Sequence, residues 1–540
     1  MKTRLLSPLV KVFPEAEPTA AEFTAFSYLR NETFSFQLAL KPESPRETAA
    51  QVALASDLLP DLSLYVVEQI PSTPCGYEGH DDYHYDVTRP SFPDLLRPTD
   101  GSLCLTAGEW TALWVTCRPT LGLTGERPVT LTVKTDGGET TAVFTPTLIA
   151  RDLPAQTLLY TNWFHNDCLC TYYGAEPFSE RYWPIAEAYL RNAAAHGVNL
   201  ILTPVFTPPL DTAVGGERPT VQLVDVTKTA DGWSFGFDNF EKYVRLCRNC
   251  GIENFEISHF FTQWGAKAAP KIVATVDGEL RRVFGWETDS HGPEYTAFLT
   301  AFAEAFCREV DALGIRGNCY LHISDEPGEE DRGAYRLCAE TVRRLFPGFR
   351  FLDALSDLAF VREGVADIAV CGIDHADEFR PAVDEFWTYY CGGGRTKCVP
   401  NRLFAQPSLR NRVLGLLLWR YDADGFLHWG HNFWYSQYSR HAVDPFTVTD
   451  ADGAFPSGDS FSVYPGPDGT PLDALRHEVF ADGLRDLRAL RLLESLTSRS
   501  HVLELLEEGL AEPLRFTAYP HDDAWLLGVR AKINDEIARL

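Results

Sequence analysis

The chain has 540 residues, which is too long for one ordinary hydrophobic core, so two or three domains are expected. Its 45% hydrophobic and 23% charged residues are typical of a folded protein and exclude extensive disorder. With 48 basic and 75 acidic side chains, the net charge is −27, which disfavours nucleic acids and anionic membranes as partners and favours a neutral small molecule or sugar.

The amino-terminal segment and the cysteines predict a cytoplasmic protein. Met1 to Phe13 has no sustained apolar stretch with a small-residue cleavage site, and no later window approaches a membrane span. The cysteines number 13, an odd count, and several lie in apolar runs, as Cys117 and Cys371 do. Such cysteines behave as small buried hydrophobic residues, which indicates a reducing compartment rather than a disulfide framework.

Residues 1–152 are predicted to form an all-β sandwich domain. Short alternating stretches separated by turn residues are found at 33–40, 62–67, 110–117 and 129–133. This period of two is typical of an antiparallel sandwich. Between these stretches lies a long irregular segment, Pro71 to Thr99, and a loop of that length usually has a function or docks on a neighbouring domain.

Residues 153–470 are predicted to form a (β/α)8 TIM-like barrel, because short apolar strands alternate there with helical segments. The predicted strands lie at 158–164, 200–206, 254–260, 319–325, 351–355, 368–372, 385–390 and 425–429. Helices are predicted at 183–196, 240–249, 295–313, 331–345 and 408–419. Residues 471–540 are predicted to be a mostly helical region packed on the barrel exterior. The fold class is therefore α/β, a barrel preceded by a β-sandwich.

Two adjacent carboxylates, Asp325 and Glu326, end the strand predicted at 319–325 and stand before Pro327. Proline is a natural first residue of a helix, and the residue before it is biased to extended geometry. The pair therefore falls at the carboxyl end of a barrel strand, where catalytic groups collect. Taken alone, the pair also fits a helix cap, since acidic residues are favoured at that position.

Aromatic residues are concentrated in the loops predicted at the carboxyl ends of the strands, among them Trp163, Trp264, Tyr389 and Trp429. Rings stack on the apolar faces of sugars, while nearby polar side chains bond the hydroxyls, so the mixture predicts a carbohydrate pocket. Each tryptophan taken alone is more typical of a core, so the prediction depends on their collective placement. A glycine run, 392–394, also follows a strand end, where flexible backbone can approach a ligand.

The ligand-type side chains of the barrel form no compact metal-binding motif. They are His165, Asp167, His259, His322, Asp374, His375, His428 and His431. Cys247 and Cys250 form a lone Cys-x-x-Cys without a second pair. Phosphate-binding loops, nucleophile elbows and dinucleotide fingerprints are absent as well. We therefore expect no metal and no cofactor, and expect the histidines to bond sugar hydroxyls or carboxylates.

Several motifs together resemble glycoside hydrolase family 123, whose members include β-N-acetylgalactosaminidases. The motifs are Asn162 to Asp167, His322 to Pro327, Trp387 to Cys391, Asp424 to Trp434, and the block from Gly458 to Arg485. The resemblance covers nearly the whole chain. It implies a glycosidase that acts on an oligosaccharide or glycoconjugate.

The resemblance further implies a retaining, substrate-assisted hydrolysis of terminal β-linked N-acetylhexosamine, with N-acetylgalactosamine favoured. The 2-acetamido oxygen of the sugar then attacks the anomeric carbon. By motif, Glu326 is the general acid and later the base, and Asp325 orients the acetamido N–H. Glu326 must keep its proton near neutral pH, so we expect burial and the Asp325 charge to favour the protonated form and the two carboxyls to titrate as a unit.

A tyrosine that donates to the acetamido oxygen is also expected. Strand alternation lets only one of Tyr389 and Tyr390 face the barrel interior. The Trp-x-Tyr-x-Cys pattern of Trp387, Tyr389 and Cys391 makes Tyr389 the first candidate, and Tyr390 and Tyr421 are alternatives. The other candidate substrate-binding residues are Asn401, Trp429, Asn432, His165, Asp167 and His259.

Two other functions stay open at the level of sequence. One is a glycosidase for a sugar without the 2-acetamido group, and the other is a catalytically silent carbohydrate-binding protein. The linkage, the aglycone, exo or endo action and the oligomeric state are not predicted.

Overall fold

The computed structural model describes residues 1–73, 81–392 and 397–540. Gly393 and Gly394 of the predicted glycine run lie outside the described residues, as do residues 74–80 of the segment predicted to be irregular. In chain order, the described residues form a two-sheet sandwich, a closed barrel and a group of helices.

Among its described residues, the first part of the chain has eleven strands in two sheets. The strands are β1 (Lys2–Leu6), β2 (Ala25–Leu29), β3 (Phe34–Lys41), β4 (Thr48–Ala55), β5 (Leu62–Pro71), β6 (Ser91–Pro98), β7 (Ser102–Leu105), β8 (Thr111–Cys117), β9 (Gly125–Glu126), β10 (Val129–Thr135) and β11 (Gly138–Ile149). One sheet has the order β1-β3-β8-β5-β6, and the other has the order β2-β11-β10-β4-β7 with β9 beside β11.

The sandwich core follows from the alternation in β3. Phe34, Phe36 and Leu38 alternate on one face and are buried between the sheets, where the Phe36 ring stacks on that of Phe144. The opposite face is also covered, since Gln37 is buried and donates to the carbonyls of Ser7 and Val10. This is why all but the last residue of β3 is buried.

Two expectations for the sandwich are wrong in detail. β2 pairs with β11 in parallel, so the sandwich is not wholly antiparallel. The segment predicted to be irregular contains β6, which pairs with β5 across a bulge that disrupts the alternation. The part before β6 docks on the barrel, since Asp81 forms a salt bridge with Arg410 at 2.6 Å.

The remaining elements are given in chain order. The strands are β12 (Leu159–Asn162), β13 (Leu200–Thr203), β14 (Asp225–Thr229), β15 (Gly232–Gly236), β16 (Asn254–Ile257), β17 (Ile272–Val276), β18 (Glu279–Phe284), β19 (Cys319–Leu321), β20 (Arg350–Ala354), β21 (Ile368–Gly372), β22 (Trp387–Tyr389), β23 (Gly425–His428), β24 (Val463–Pro465) and β25 (Pro471–Asp473). The helices are α1 (Asn166–Tyr173), α2 (Tyr182–Ala195), α3 (Asp238–Asn249), α4 (Pro293–Ala312), α5 (Arg332–Leu345), α6 (Leu358–Arg362), α7 (Ala376–Phe379), α8 (Ser408–Arg412), α9 (Leu414–Arg420), α10 (Leu475–Leu496), α11 (Arg499–Glu507) and α12 (Asp523–Arg539).

Eight parallel strands close the barrel in the order β12-β13-β16-β19-β20-β21-β22-β23. Inward-facing apolar side chains fill it, among them Leu202, Tyr320, Leu352 and Trp387. A Cβ at Gly425 would lie 2.0 Å from the Trp387 ring, so only glycine fits beside that ring. The predicted fold class, an α/β barrel behind a β-sandwich, is confirmed.

Three local features differ from the predictions. A four-stranded sheet, β15-β14-β17-β18, was not expected, and its strand β15 packs aromatic rings on Phe298 and Phe302 of α4. Pro327 does not begin a helix, because a 3-10 turn at 329–331 precedes α5. The helix expected at 408–419 is divided between α8 and α9 at Val413.

The last three helices join the barrel to the sandwich. Arg530 of α12 bonds Glu32 of the sandwich at 2.6 and 2.7 Å and Asp486 of α10 at 2.6 Å, and all three side chains are buried. Because a buried charge is costly unless it is paired, this network holds α10 and α12 in place. None of the helices in the described ranges is long and apolar enough to cross a membrane.

Candidate active site

A pocket of about 840 Å³, including space open to solvent, lies at the carboxyl ends of the barrel strands. Its lining mixes aromatic rings with carboxyl and amide groups, as a sugar site requires. The lining residues are Trp163, His165, Leu210, Asp211, Gln263, Trp264, Asp325, Glu326, Ala354, Tyr389, Cys391, Gly392, Leu427, Trp429, Gln437, Tyr438, Phe455 and Asp459.

Asp325 and Glu326 both reach this pocket, in the segment that follows β19. Glu326 has φ +42°, a left-handed conformation that costs a non-glycine residue about 1–3 kcal/mol. The extended geometry expected before Pro327 is therefore wrong. The segment is bound on both sides, since the N–H of Trp264 donates to the Asp325 carbonyl at 2.9 Å and the Ser324 hydroxyl donates to the Thr262 carbonyl at 2.8 Å.

The two carboxyl groups differ in environment. Asp325 is half-buried, whereas Glu326 is exposed to the pocket. Burial, and secondly the neighbouring Glu326 charge, raise the pKa of Asp325 well above its ordinary value, and the His322 charge opposes that shift. Two adjacent carboxyls in one site do not readily both ionise, and this favours the protonated form of Asp325.

Tyr389 lies against Glu326 and Tyr390 does not. The Tyr389 hydroxyl donates to Glu326 Oε1 at 2.6 Å, and burial and the Glu326 charge raise the pKa of Tyr389, so the hydroxyl stays a donor. Tyr390 points out of the barrel, where its ring packs on Phe426 and His428. Its hydroxyl has no hydrogen-bond partner among the described residues.

A buried ion network lies beneath the carboxyl pair. His322 Nε2 is 2.6 Å from Glu256 Oε1, and its Nδ1 is 2.8 Å from Asp353 Oδ1. Burial lowers the pKa of His322, but the hydrogen bonds to Asp353 and Glu256 outweigh burial and raise it to about 10. Both ring nitrogens therefore carry protons, and the imidazolium neutralises part of the acidic charge under the pocket floor.

Glu256 and Asp353 also form hydrogen bonds with groups that line or adjoin the pocket. Trp163 Nε1 donates to Glu256 at 2.7 Å, which orients the indole that lines the pocket. Asp353 accepts from the N–H groups of Ile323 and Ser324 at 3.2 and 3.3 Å, directly before the catalytic candidates. The network thus fixes both the segment that carries Asp325 and an aromatic wall.

His259 and Asp167, two candidate substrate ligands, lie behind the pocket lining. His259 is buried and its ring stacks on His322 with ring centroids 4.1 Å apart. Asp167 accepts two hydrogen bonds from Arg218, at 2.7 and 2.8 Å, and Arg218 is also hydrogen-bonded to His165 Nδ1 at 3.0 Å. Of the residues in this group, His165 is the one that lines the pocket.

Trp429 lines the pocket and is held by Asp459. The indole N–H donates to Asp459 Oδ2 at 3.1 Å, and the N–H of Gly392 donates to Oδ1 at 2.8 Å. Burial raises the pKa of Asp459 to about 6. Asn432 lies behind the pocket lining, where it forms hydrogen bonds with the backbone N–H and carbonyl of His165 at 2.8 and 3.0 Å.

Asn401 also lies away from the lining residues, where its amide donates to the Gly392 carbonyl at 2.8 Å. Tyr421, the other alternative tyrosine, donates to Asp377 outside the pocket. The structure therefore brings Asp325, Glu326, Tyr389, Trp429 and His165 together in one pocket. Tyr390, Asn401, Asn432, Asp167 and His259 stand behind it.

Several pocket residues were not singled out from the sequence. Asp211, Gln263 and Tyr438 come from loops after β13, after β16 and after β23. They are joined to one another, since Gln263 Oε1 accepts from the N–H of Asp211 at 2.6 Å and Asp211 Oδ2 accepts from the N–H of Tyr438 at 3.0 Å. Burial raises the pKa of Asp211 to about 6. Their position in carboxyl-end loops was the signal available.

Two clusters in the described part of the chain have the residue types and spacing to hold a metal ion. One is His259, His322 and Asp353, and the other is His196, Asp473 and His477. In the first, both nitrogens of His322 are already bonded to carboxylates, so that ring has no free lone pair for an ion. The second lies outside the pocket lining.

Comparison with known structures agrees with this fold. A family 123 glycoside hydrolase from Clostridium perfringens, studied for the details of glycolipid glycan hydrolysis, matches with TM-score 0.75 and 14% identity over 100% of this chain and 97% of that one. A β-glucuronidase from Bacteroides uniformis covers 84% of this chain and 50% of its own, at 10% identity and TM-score 0.31. Curated protein sequences gave no significant match.

The family model for the glycoside hydrolase 123 catalytic domain matches residues 163–493, which is more than half of the chain and contains the pocket described above. The protein is thus a member of glycoside hydrolase family 123, and its barrel is a glycosidase domain.

Proposed function

We propose that the protein hydrolyses terminal β-linked N-acetylhexosamine with retention and with assistance from the substrate, and that N-acetylgalactosamine is the favoured sugar. The observation that carries the proposal is the adjacency of Asp325 and Glu326 in one pocket, with the Tyr389 hydroxyl on Glu326. Membership of the family supports hydrolysis of a carbohydrate or glycoconjugate.

The first step breaks the glycosidic bond. Glu326 gives its proton to the glycosidic oxygen as the bond from that oxygen to the anomeric carbon breaks. The carbonyl oxygen of the 2-acetamido group forms a new bond to the anomeric carbon, which yields a cyclic oxazolinium ion. No protein nucleophile is needed, as in other substrate-assisted glycosidases.

Asp325 has a role that suits its environment. The acetamido N–H donates to the Asp325 carboxylate, and this hydrogen bond favours the ionised form that burial disfavours in the free protein. The resulting negative charge faces the positive charge that develops on the acetamido group. This interaction is stronger in the transition state than in the ground state, which is what accelerates a reaction.

Tyr389 couples sugar binding to protonation of Glu326. A phenol has one hydrogen to donate, so when Tyr389 donates to the acetamido oxygen it releases Glu326. A carboxylate without that donor takes up a proton more readily.

In the second step, Glu326 accepts a proton from water as the water oxygen attacks the anomeric carbon, which restores the acetamido group and gives a retained product.

The test compares Glu326→Gln with Glu329→Gln on an aryl 2-acetamido-β-galactoside. Glu329 is an exposed carboxylate three residues away and outside the pocket lining, so its variant is a matched control. We expect kcat/KM to fall at least about 10²-fold in the first variant, in the range of general-acid catalysis, and to change little in the second. Unchanged turnover in Glu326→Gln, with its folding intact, would refute the assigned acid.

A paired substrate tests assistance by the acetamido group. The same aryl β-galactoside with a 2-hydroxyl in place of the acetamido group should be hydrolysed at least about 10³-fold more slowly, because the intramolecular nucleophile is lost. Comparable rates on both sugars would instead favour a glycosidase with a protein nucleophile. Binding without any product would favour a carbohydrate-binding protein.

A further inference from the structure

A second cluster of ligand-type side chains is found where three parts of the chain meet. His196 follows α2, Asp473 ends β25, and His477 and Glu478 lie in the first turn of α10. His196, His477 and Glu478 are 2%, 0% and 2% exposed. Arg118, which follows β8 of the sandwich, reaches the same cluster.

The donor atoms of this cluster are spaced as ligands of one ion. His477 Nδ1 is 3.4 Å from Asp473 Oδ1, and His196 Nε2 is 3.7 Å from that oxygen and 3.4 Å from Glu478 Oε1. A tetrahedral zinc ion with bonds of about 2.0–2.2 Å separates its ligand atoms by about 3.3–3.6 Å. The two contacts at Asp473 are too long for good hydrogen bonds and fit a shared ion.

Several polar atoms of this cluster are left without hydrogen bonds. His196 Nε2, both nitrogens of His477 and Glu478 Oε2 are buried and have no hydrogen-bond partner within the described ranges. Buried polar atoms are nearly always satisfied, so four such atoms in one place call for an explanation. The two imidazoles stack with centroids 3.8 Å apart, which leaves no room for a side chain between them.

A supporting shell orients the ligands. His196 Nδ1 lies 2.8 Å from the Asn192 carbonyl, which only accepts, so the proton is on Nδ1 and Nε2 is the atom directed at the cluster. Asn192 Nδ2 also donates to Asp473 Oδ1 at 2.7 Å, and Arg118 donates to Glu478 Oε1 at 2.9 Å. Metal-binding histidines typically donate the other ring N–H to a carbonyl in this way.

We propose that His196, Asp473 and His477 bind one divalent transition-metal ion of the zinc class, with Glu478 beside the ion. Two imidazoles with carboxylate oxygens suit zinc better than magnesium or calcium, which prefer oxygen ligands alone. The ion joins α2, β25 and α10, and through Arg118 it adjoins the sandwich. Its role is structural, because none of the three ligands lines the catalytic pocket. The sequence alone predicted no metal. It could not reveal this site, because 277 residues separate His196 from Asp473 and no short motif contains the ligands.

The experiment uses the full chain without a histidine tag. The protein is stripped with a chelator, incubated with Zn²⁺, dialysed, and analysed for metal by mass spectrometry. We expect one equivalent of zinc in the wild type and in His501→Gln, and a loss of that equivalent in His196→Gln and His477→Gln. His501 is a partly exposed histidine paired with Glu536 on the carboxyl-terminal helices, so its variant controls for adventitious binding.

If the variants fail to fold, the Tm of the wild-type protein still tests the site. Zn²⁺ at a hundredfold excess over its Kd should raise the Tm of the stripped protein by about 2 °C, and Mg²⁺ at the same concentration should not. Absence of both bound zinc and a Tm shift in the wild type would overturn the site. Equal zinc content in the wild type and in folded His477→Gln would overturn it as well.

Discussion

Replacing Tyr389 with phenylalanine removes one hydroxyl from the pocket and leaves the ring in place. That hydroxyl donates to Glu326 at 2.6 Å, the short distance of a hydrogen bond to a charged acceptor. Such a bond contributes about 1.5–3 kcal/mol. In the transition state the same hydroxyl donates to the acetamido oxygen instead. Loss of that hydrogen bond predicts that kcat/KM falls about 10–150-fold, since about 1.4 kcal/mol corresponds to a factor of ten.

The assay is steady-state hydrolysis of an aryl 2-acetamido-β-galactoside over a range of pH. Tyr390→Phe is the matched control, since the Tyr390 hydroxyl is outside the pocket and has no partner in the described part of the chain. A fall of kcat/KM in Tyr390→Phe as large as in Tyr389→Phe, or no change in either variant, would refute the reasoning.

The other predictions concern charges in and around the barrel. The pKa of His322 is raised to about 10, so its contribution to stability is complete below about pH 6.5 and is lost as the pH rises to 10. Urea unfolding should show this decline in the wild type and not in His322→Gln. We expect His322→Gln to be about 3–5 kcal/mol less stable than the wild type at pH 7. Asp459 has its pKa raised to about 6 and holds the Trp429 indole, so tryptophan fluorescence should titrate near pH 6, and a titration that persists in Asp459→Asn would contradict this assignment. Arg530→Met leaves Glu32 buried without its cation, and calorimetry should show a loss of about 3–5 kcal/mol; a loss below about 1 kcal/mol would mean that the network is not stabilising.

Much of the architecture was predictable because it follows from local patterns. The eight barrel strands were located from short apolar runs between helices, and the alternation in β3 indicated the sandwich. The position of Asp325 and Glu326 followed from the apolar strand before them. Tyr389 was preferred to Tyr390 from the Trp-x-Tyr-x-Cys pattern on its strand, and the structure directs Tyr389 to the pocket.

What could not be predicted depends on contacts between distant segments. Glu326 adopts φ +42° although the following proline favours extended backbone, because tertiary bonds to its neighbours decide the conformation. Asn432 and Asp167 have the residue types of sugar ligands, yet they are bonded to His165 and Arg218 behind the wall. Asp211 and Gln263 lie in the pocket through long loops whose paths no periodicity reveals.

The bond between Arg530 and Glu32 spans 498 residues of sequence. At about 5–20 residues per second, the ribosome makes the second residue about 25–100 s after the first. During that time the newly made sandwich carries a carboxylate and an apolar face that α12 covers only after α12 itself has been made. Nascent chains that stop before residue 530 are therefore expected to expose this face and to depend on chaperones, which makes the carboxyl-terminal helix the element that completes folding of the first domain.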